Sequence, residues 1–410
     1  MEKTIFTNLF TTFDRANPVP KYRALRQAAR ERFGALPWPT TRGEDWRFTN
    51  VAPLLETPFE LPQVLMESGP VARQGTLQFH FLNGRFAAAI SSQAPAGIQI
   101  GSLAEARIEL AMLGQIANVR DNFFTALNTS LVADGLYVVI PDGAALETPI
   151  EIIHFSTSRD KPAITHPRAL IVVGRNAQAT VVERYFGTQS YFTNAVTEIA
   201  LAEHANLDHV KVQEESTTAS HIANTQIVQG ARSTFTSHYL SLGGALVRNE
   251  VRVRFDGEHA EATVNGLYLA SGTQHMDNFT VIDHAQPNCA SHELYKGILD
   301  DKSHGVFNGK IFVRKDAQKT DAKQTNKVLL LSDDATINTK PQLEIFADDV
   351  KCTHGATIGQ LDPVQLFYLQ SRGIPLDAAR RLLTFAFAND IVNRVKIEAI
   401  REELETRIVQ

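Results

Sequence analysis

From about residue 135 to 345 the chain consists of short runs in which apolar and polar residues alternate. Val251-Arg252-Val253-Arg254-Phe255 is the clearest run. Successive side chains of an extended strand point to opposite faces, so one face is buried and the other is wet. Thr180-Val181-Val182-Glu183-Arg184-Tyr185-Phe186 reads as another strand, and no helix of useful length fits the segment. A polar residue or glycine followed by alanine recurs in turn-like settings. The pairs are Asn176-Ala177, His204-Ala205, Gly230-Ala231, His259-Ala260, His284-Ala285 and Asp316-Ala317, at intervals of 25 to 32 residues. Each interval holds two strands of ordinary length, roughly 5–6 residues. A single coil cannot bury its apolar face, so such a period predicts stacked coils that share one core. A β-helix is expected over residues 135–360, with a β-sandwich as the alternative.

The pattern changes on both flanks. Residues 1–134 read as a mixed α/β region. Lys21 to Arg30 is rich in helix formers and precedes Gly34, a plausible stop. The stretch Pro37 to Thr49 holds both tryptophans, Trp38 and Trp46, among prolines and a glycine. It reads as a packed loop anchored by its aromatics. Residues 361–410 read as helical. Asp362 suits an N-cap, Pro363 the first helical position and Gly373 a C-terminal stop. A second helix follows Pro375, where Leu383, Phe387, Ile391 and Val395 form an apolar stripe. This end is too small for a core of its own, so it packs on the rest of the chain or on a partner.

Composition and charge narrow the function classes. The 410 residues are 43% hydrophobic and 21% charged, with a net charge of -5. Basic and acidic residues are interspersed, which argues against a nucleic-acid footprint. No apolar run approaches the roughly 20 residues of a membrane helix. The start carries no secretory pattern. Two cysteines, Cys289 and Cys352, make no disulfide framework and fit a reducing cytoplasm.

Candidate chemistry is sparse. There is no Gly-x-x-x-x-Gly-Lys-Ser/Thr phosphate loop, Gly-x-Ser-x-Gly turn or His-Glu-x-x-His helix, so an ATP-driven step would need another subunit. The sharpest feature is Lys351-Cys352-Thr353-His354-Gly355. On a strand, Cys352 and His354 share one face and offer a thiolate and an imidazole, a donor pair suited to Fe, Zn or Cu(I). Two ligands are half a site, since zinc and iron–sulfur sites take about four. His275, His284, His292 and His304 are expected as ordinary turn or surface residues, and Cys289 as a small buried apolar group. Asp277, Asp283, Asp300 and Asp301 are the carboxylates a polysaccharide-cleaving β-helix enzyme would use, but their spacing singles out no acid–base pair.

Three longer motifs resemble the SufB/SufD family. They run from Tyr295 to Ile311, from Ala317 to Lys327, and from Leu343 through Lys351-Cys352-Thr353-His354-Gly355 to Thr357, continuing at Phe367 to Gly373. Thr41-Arg42-Gly43-Glu44-Asp45-Trp46-Arg47-Phe48-Thr49-Asn50 is similar to the N-terminal region of the SufD branch. The resemblance implies a mostly β fold: a right-handed parallel β-helix between an N-terminal α/β region and a C-terminal helical region. It also implies a cytoplasmic, non-catalytic scaffold for iron–sulfur cluster assembly. The partners it implies are a SufB-like paralogue and a SufC-like ABC ATPase, the latter contacting residues 361–410, with a homodimer when the chain is alone. Cys352 and His354 match the family's Lys-Cys-x-His-Gly motif, with Thr353 where Ser is common. They stand as a partial iron or cluster site at the partner interface. No cofactor is expected to be held stably by this chain alone; iron or a cluster would pass transiently through the complex. A purely structural adaptor and a polysaccharide-acting enzyme are the alternatives.

Overall fold

The computed structural model describes residues 3–17, 21–62, 75–107 and 110–409. It is mostly β, with 42% strand and 21% helix, and its centre is a β-solenoid of about 8 turns. Successive strands alternate between two sheets. Asn206–Glu214 joins the first sheet, Ser220–Gln229 the second and Thr234–Ser241 the first again. The alternation continues to Thr336–Ile345 in the second sheet and Lys351–Gly359 in the first. Within each sheet, neighbouring coils pair in parallel and in unbroken register, as in Val210↔His238 and Ile227↔Val253. An antiparallel sandwich would not pair this way. Val251, Val253 and Phe255 face inward while Arg252 and Arg254 face out, as the alternation predicts.

Left-handed turn residues tie one coil to the next. Asn176, His204, Arg232, His259, Asn288 and Lys319 all have φ between 54° and 62°, at intervals of 27 to 31 residues. Each donates its backbone N–H to a carbonyl one coil further on, for example His204 to Ala231 at 2.9 Å and Asn288 to Gln318 at 2.9 Å. The residue after each is small and buried: Ala177, Ala205, Ser233, Ala260, Cys289 and Thr320. Three of the alanine pairs expected from sequence fall on this ladder. The other three lie two to four residues early, because the tight position after the turn takes Ser, Cys or Thr as well as Ala. Cys289 is thereby explained as a packing residue.

Four helices precede the solenoid core: α1 (Thr4–Ala16), α2 (Arg23–Ala35), α3 (Pro53–Glu56) and α4 (Phe123–Ser130). Helix α2 runs one residue past Gly34, the expected stop. Trp38 stacks on Phe6 at 5.8 Å and meets Phe123 edge-on at 5.0 Å, in a cluster that continues to Phe192 and Ile222 of the second sheet. Trp46 covers the guanidinium of Arg248 at 3.9 Å, and Arg248 pairs with buried Asp277. The tryptophan loop is therefore a structural anchor. The first sheet reaches back into this region, where Leu77–Leu82 pairs in parallel with Ile150–Thr157.

Three helices close the chain: α5 (Pro363–Ser371), α6 (Leu376–Val392) and α7 (Glu398–Val409). The side chain of Asp362 accepts the N–H of Val364 at 2.8 Å, and Gly373 has φ 84°, so both ends of α5 form as the sequence predicts. Ile391, Val392 and Val395 are buried against Val210, Val212, Leu267 and Ile298 on the outer face of the first sheet. Each such buried side chain contributes about 1.5–3 kcal/mol. Ion pairs fix the same docking: Lys296–Asp390 at 3.0 Å, Lys396–Asp208 at 2.8 Å and Arg184–Glu403 at 2.7 Å. Among the described residues no helix is long and apolar enough to cross a membrane.

Candidate functional site

The solenoid interior is built from columns, because inward-facing residues of successive coils lie in register. One column of the first sheet runs Phe235, Ala262, Ser291, Ala322, Cys352. Its neighbour runs Ser237, Val264, Glu293, Gln324, His354. Every member before the last is buried. Cys352 and His354 end their columns on Lys351–Gly359, the last strand of the sheet, and no coil covers them. Cys352 is half-buried and packs on the interior core, while His354 is exposed. The two candidate ligands thus share one face, as their spacing predicts, and that face is the open end of the solenoid.

The second sheet ends there too. Thr336–Ile345 pairs only with His304–Val313, so both sheets present an unpaired edge. Ile345, Phe346 and Ile358 are exposed around this end, Phe346 at 59%. Unpaired backbone beside exposed apolar side chains is a template for another chain.

Electrostatics at Cys352 favour the thiol. Burial pushes its pKa above the usual cysteine value. The Asp321 carboxylate adds to this, and a backbone hydrogen bond from Ala322 opposes it. A thiolate here needs an arriving cation, since metal binding displaces the proton. Among the described residues no group of three or more His, Cys, Asp or Glu is placed to hold a metal ion.

The remaining candidates lie apart from this end or are engaged by other groups. His275 and His304 lie in register on adjacent coils with ring centroids 4.8 Å apart. His275 Nε2 is 3.0 Å from Thr49 Oγ1, and His304 Nε2 is 2.7 Å from Asn338 Oδ1. His284 is fully buried, 2.9 Å from Ser291 Oγ, rather than in a surface turn. His292 is exposed. Asp277 pairs with Arg248, Asp283 with Arg314 at 2.6 Å, and Asp301 accepts the N–H of Gly272 at 2.9 Å. Asp300 accepts the N–H of Asp301 at 2.8 Å.

Sequence reasoning missed a buried ionic cluster inside the early coils. Glu183 Oε1 is 2.8 Å from His209 Nε2, and its other oxygen accepts from Tyr185 Oη at 2.6 Å. Lys211 Nζ donates to His221 Nε2 at 2.8 Å, and His221 Nδ1 lies 2.7 Å from Glu215. Burial works against ionised Glu183, but the His209 and Tyr185 hydrogen bonds and the Lys211 charge outweigh it and lower its pKa to about 2. Burial lowers Lys211 to about 8 against the pull of Glu183 and Glu215. The polar residues alternate with apolar ones just as surface residues do, so only the fold shows that they face inward.

The family model for the SufBD core domain of the SUF iron–sulfur cluster assembly system matches residues 154–387, and the SufBD N-terminal region matches residues 6–152. The chain belongs to the SufBD family. An iron–sulfur cluster assembly SufBD family protein of Synechocystis is 35% identical over 92% of this chain and 88% of its own length. SufD of Escherichia coli is 31% identical over 91% of this chain and 89% of its own. SufD of Bacillus subtilis is 29% identical over 70% and 66%. In this SufBD-family chain the core-domain match contains Cys352 and His354 and ends within α6.

A second exposed surface lies on α5. Val364, Phe367 and Tyr368 are exposed, Val364 at 72% and Phe367 at 71%. No residue of α5 is buried. A helix with large apolar groups facing water is an interaction surface in waiting.

Proposed function

We propose that this chain is a non-catalytic scaffold subunit of a SufBCD-type complex that assembles iron–sulfur clusters. Its open solenoid end meets a SufB-like paralogue, and Cys352 and His354 supply two donors to the iron or nascent cluster received there. The cluster is cargo, and the paralogue or the cargo's own sulfide completes the coordination. A SufC-like ABC ATPase docks on the apolar face of α5, and its ATP-driven motion is transmitted through α6 and α7, which are clamped to the first sheet. The working compartment is the cytoplasm. In the absence of the paralogue, the same end pairs with a second copy of the chain.

The observation that carries this reading is the position of Cys352 and His354 as the last, uncovered members of two buried columns. A soft donor and an imidazole at an uncapped end suit a shared site better than a self-contained one. The raised Cys352 pKa favours one alternative, an adaptor whose open end makes protein contacts only.

Co-expression with a SufB-type and a SufC-type protein tests the assembly. The expected outcome is one complex containing all three chains by light scattering and mass analysis. Elution of this chain apart from both partners would contradict the proposal.

A further inference from the structure

We propose that Gln324 is a positioning residue for His354: its carboxamide oxygen accepts a ring N–H of His354, leaving the other ring nitrogen free to face out of the open end. This rests on the reading of His354 as a ligand and adds how that ligand is aimed.

Gln324 lies directly before His354 in the interior column. In-register neighbours of adjacent strands sit about 4.7–4.9 Å apart, within reach of a side-chain hydrogen bond. The carboxamide is held from two sides. Its Nε2 donates to Glu293 Oε2 at 2.7 Å, from the coil before. Across the interior, a Cβ at Gly309 would fall 2.4 Å from that Nε2 and 2.7 Å from Cδ, so the amide occupies the space where glycine has no side chain.

With Nε2 directed to a carboxylate, Oε1 is turned away from Glu293. In this structure that oxygen is buried and has no hydrogen-bond partner among the described residues, so the exposed His354 ring makes the bond by turning toward it. A buried acceptor left unpaired costs free energy. The next inward side chain of the column is His354, and a neutral imidazole has one N–H to give. Ligating histidines commonly donate their second ring nitrogen to an oxygen acceptor, which fixes tautomer and ring orientation. Glu293, Gln324 and His354 supply the parts of such a chain.

The test is imidazole nitrogen spectroscopy of the full, metal-free chain, with the His354 signal assigned by its loss in His354→Asn. The parent is expected to show His354 as a single tautomer with a slowly exchanging ring proton. Gln324→Leu and Gln324→Met keep the bulk and remove the acceptor. In whichever of them folds, that proton should exchange rapidly. Cluster content of the reconstituted complex should fall in the same variants, since removing the hydrogen-bond partner of a ligating histidine typically costs about 10–100-fold in metal affinity. Unchanged His354 ring signals in a folded apolar variant would overturn the proposal, as would lower cluster content with those signals intact. The ring measurement needs no metal. It can therefore succeed or fail independently of the question whether His354 is a ligand.

Discussion

Two tyrosines of the first sheet fill space that two glycines leave open. A Cβ at Gly266 would fall 2.2 Å from the Tyr295 ring, and one at Gly297 would fall 2.3 Å from the Tyr268 ring. Gly266↔Tyr295 and Tyr268↔Gly297 are in-register pairs of the same two strands, so the rings interlock. Gly266→Ala and Gly297→Ala are each expected to destabilise the chain by about 1–3 kcal/mol through overpacking, read as a lower urea midpoint. A change within about 0.5 kcal/mol, typical of a surface site, would refute the interlock. At this scale the sequence was legible where chemistry and spacing coincided. Cys352 and His354 share a face because strand side chains repeat every two residues. Gln324 and Glu293 were not legible, since polar residues on a strand read as solvent-facing and these face the interior.

At the scale of elements, helices α6 and α7 differ from α5 in what they cover. The first two bury Ile391, Val392, Ile400 and Leu404 against the first sheet, while α5 keeps Val364 and Phe367 in water. Phe367→Ser combined with Val364→Ser should therefore leave stability within about 0.5 kcal/mol of the parent. The same double variant should no longer capture a SufC-type ATPase in a pull-down. Lost stability with capture retained would mean that α5 supports the fold instead. The caps of α5 were readable because they depend on local rules, and of the expected stripe Phe387, Ile391 and Val395 pack on the sheet, Val395 just past the end of α6. Helix α7 was readable only as part of the helical end, without a cap or stripe of its own, because ion pairs with distant strands hold it, among them Arg184–Glu403. The coil period was visible, but its phase was not: the ladder depends on left-handed backbone at Arg232 and Lys319, residue types that do not announce it, and Asn288 was not singled out.

For the whole molecule, the polar interior sets the pH response. Burial lowers His154, His238, His275 and His284 to about 4. Unfolded histidines titrate near 6.5, so between pH 6.5 and 4 the unfolded chain binds more protons and stability falls as pH falls. Each group contributes up to about 1.4 kcal/mol per pH unit in that window. Glu293 acts in the opposite direction. Burial raises it to about 7, so its share of stability is lost as pH rises from about 4.5 to 7. Four groups outweigh one, and the urea midpoint should drop steadily from pH 6.5 to 4.5. Glu293→Gln should steepen that drop. A flat or rising midpoint on acidification would contradict the buried neutral histidines.

The central claim is that the open end of the solenoid lends Cys352 and His354 to a shared cluster site. Its most direct test is cluster content, by iron and sulfide analysis and visible absorption, of the complex reconstituted with SufB-type and SufC-type partners. Parent chain and the Cys352→Ala, His354→Ala double variant would be compared at equal complex yield. The account predicts a severalfold loss of cluster with assembly intact. Equal cluster content in the two complexes would reduce this chain to an adaptor and contradict the account.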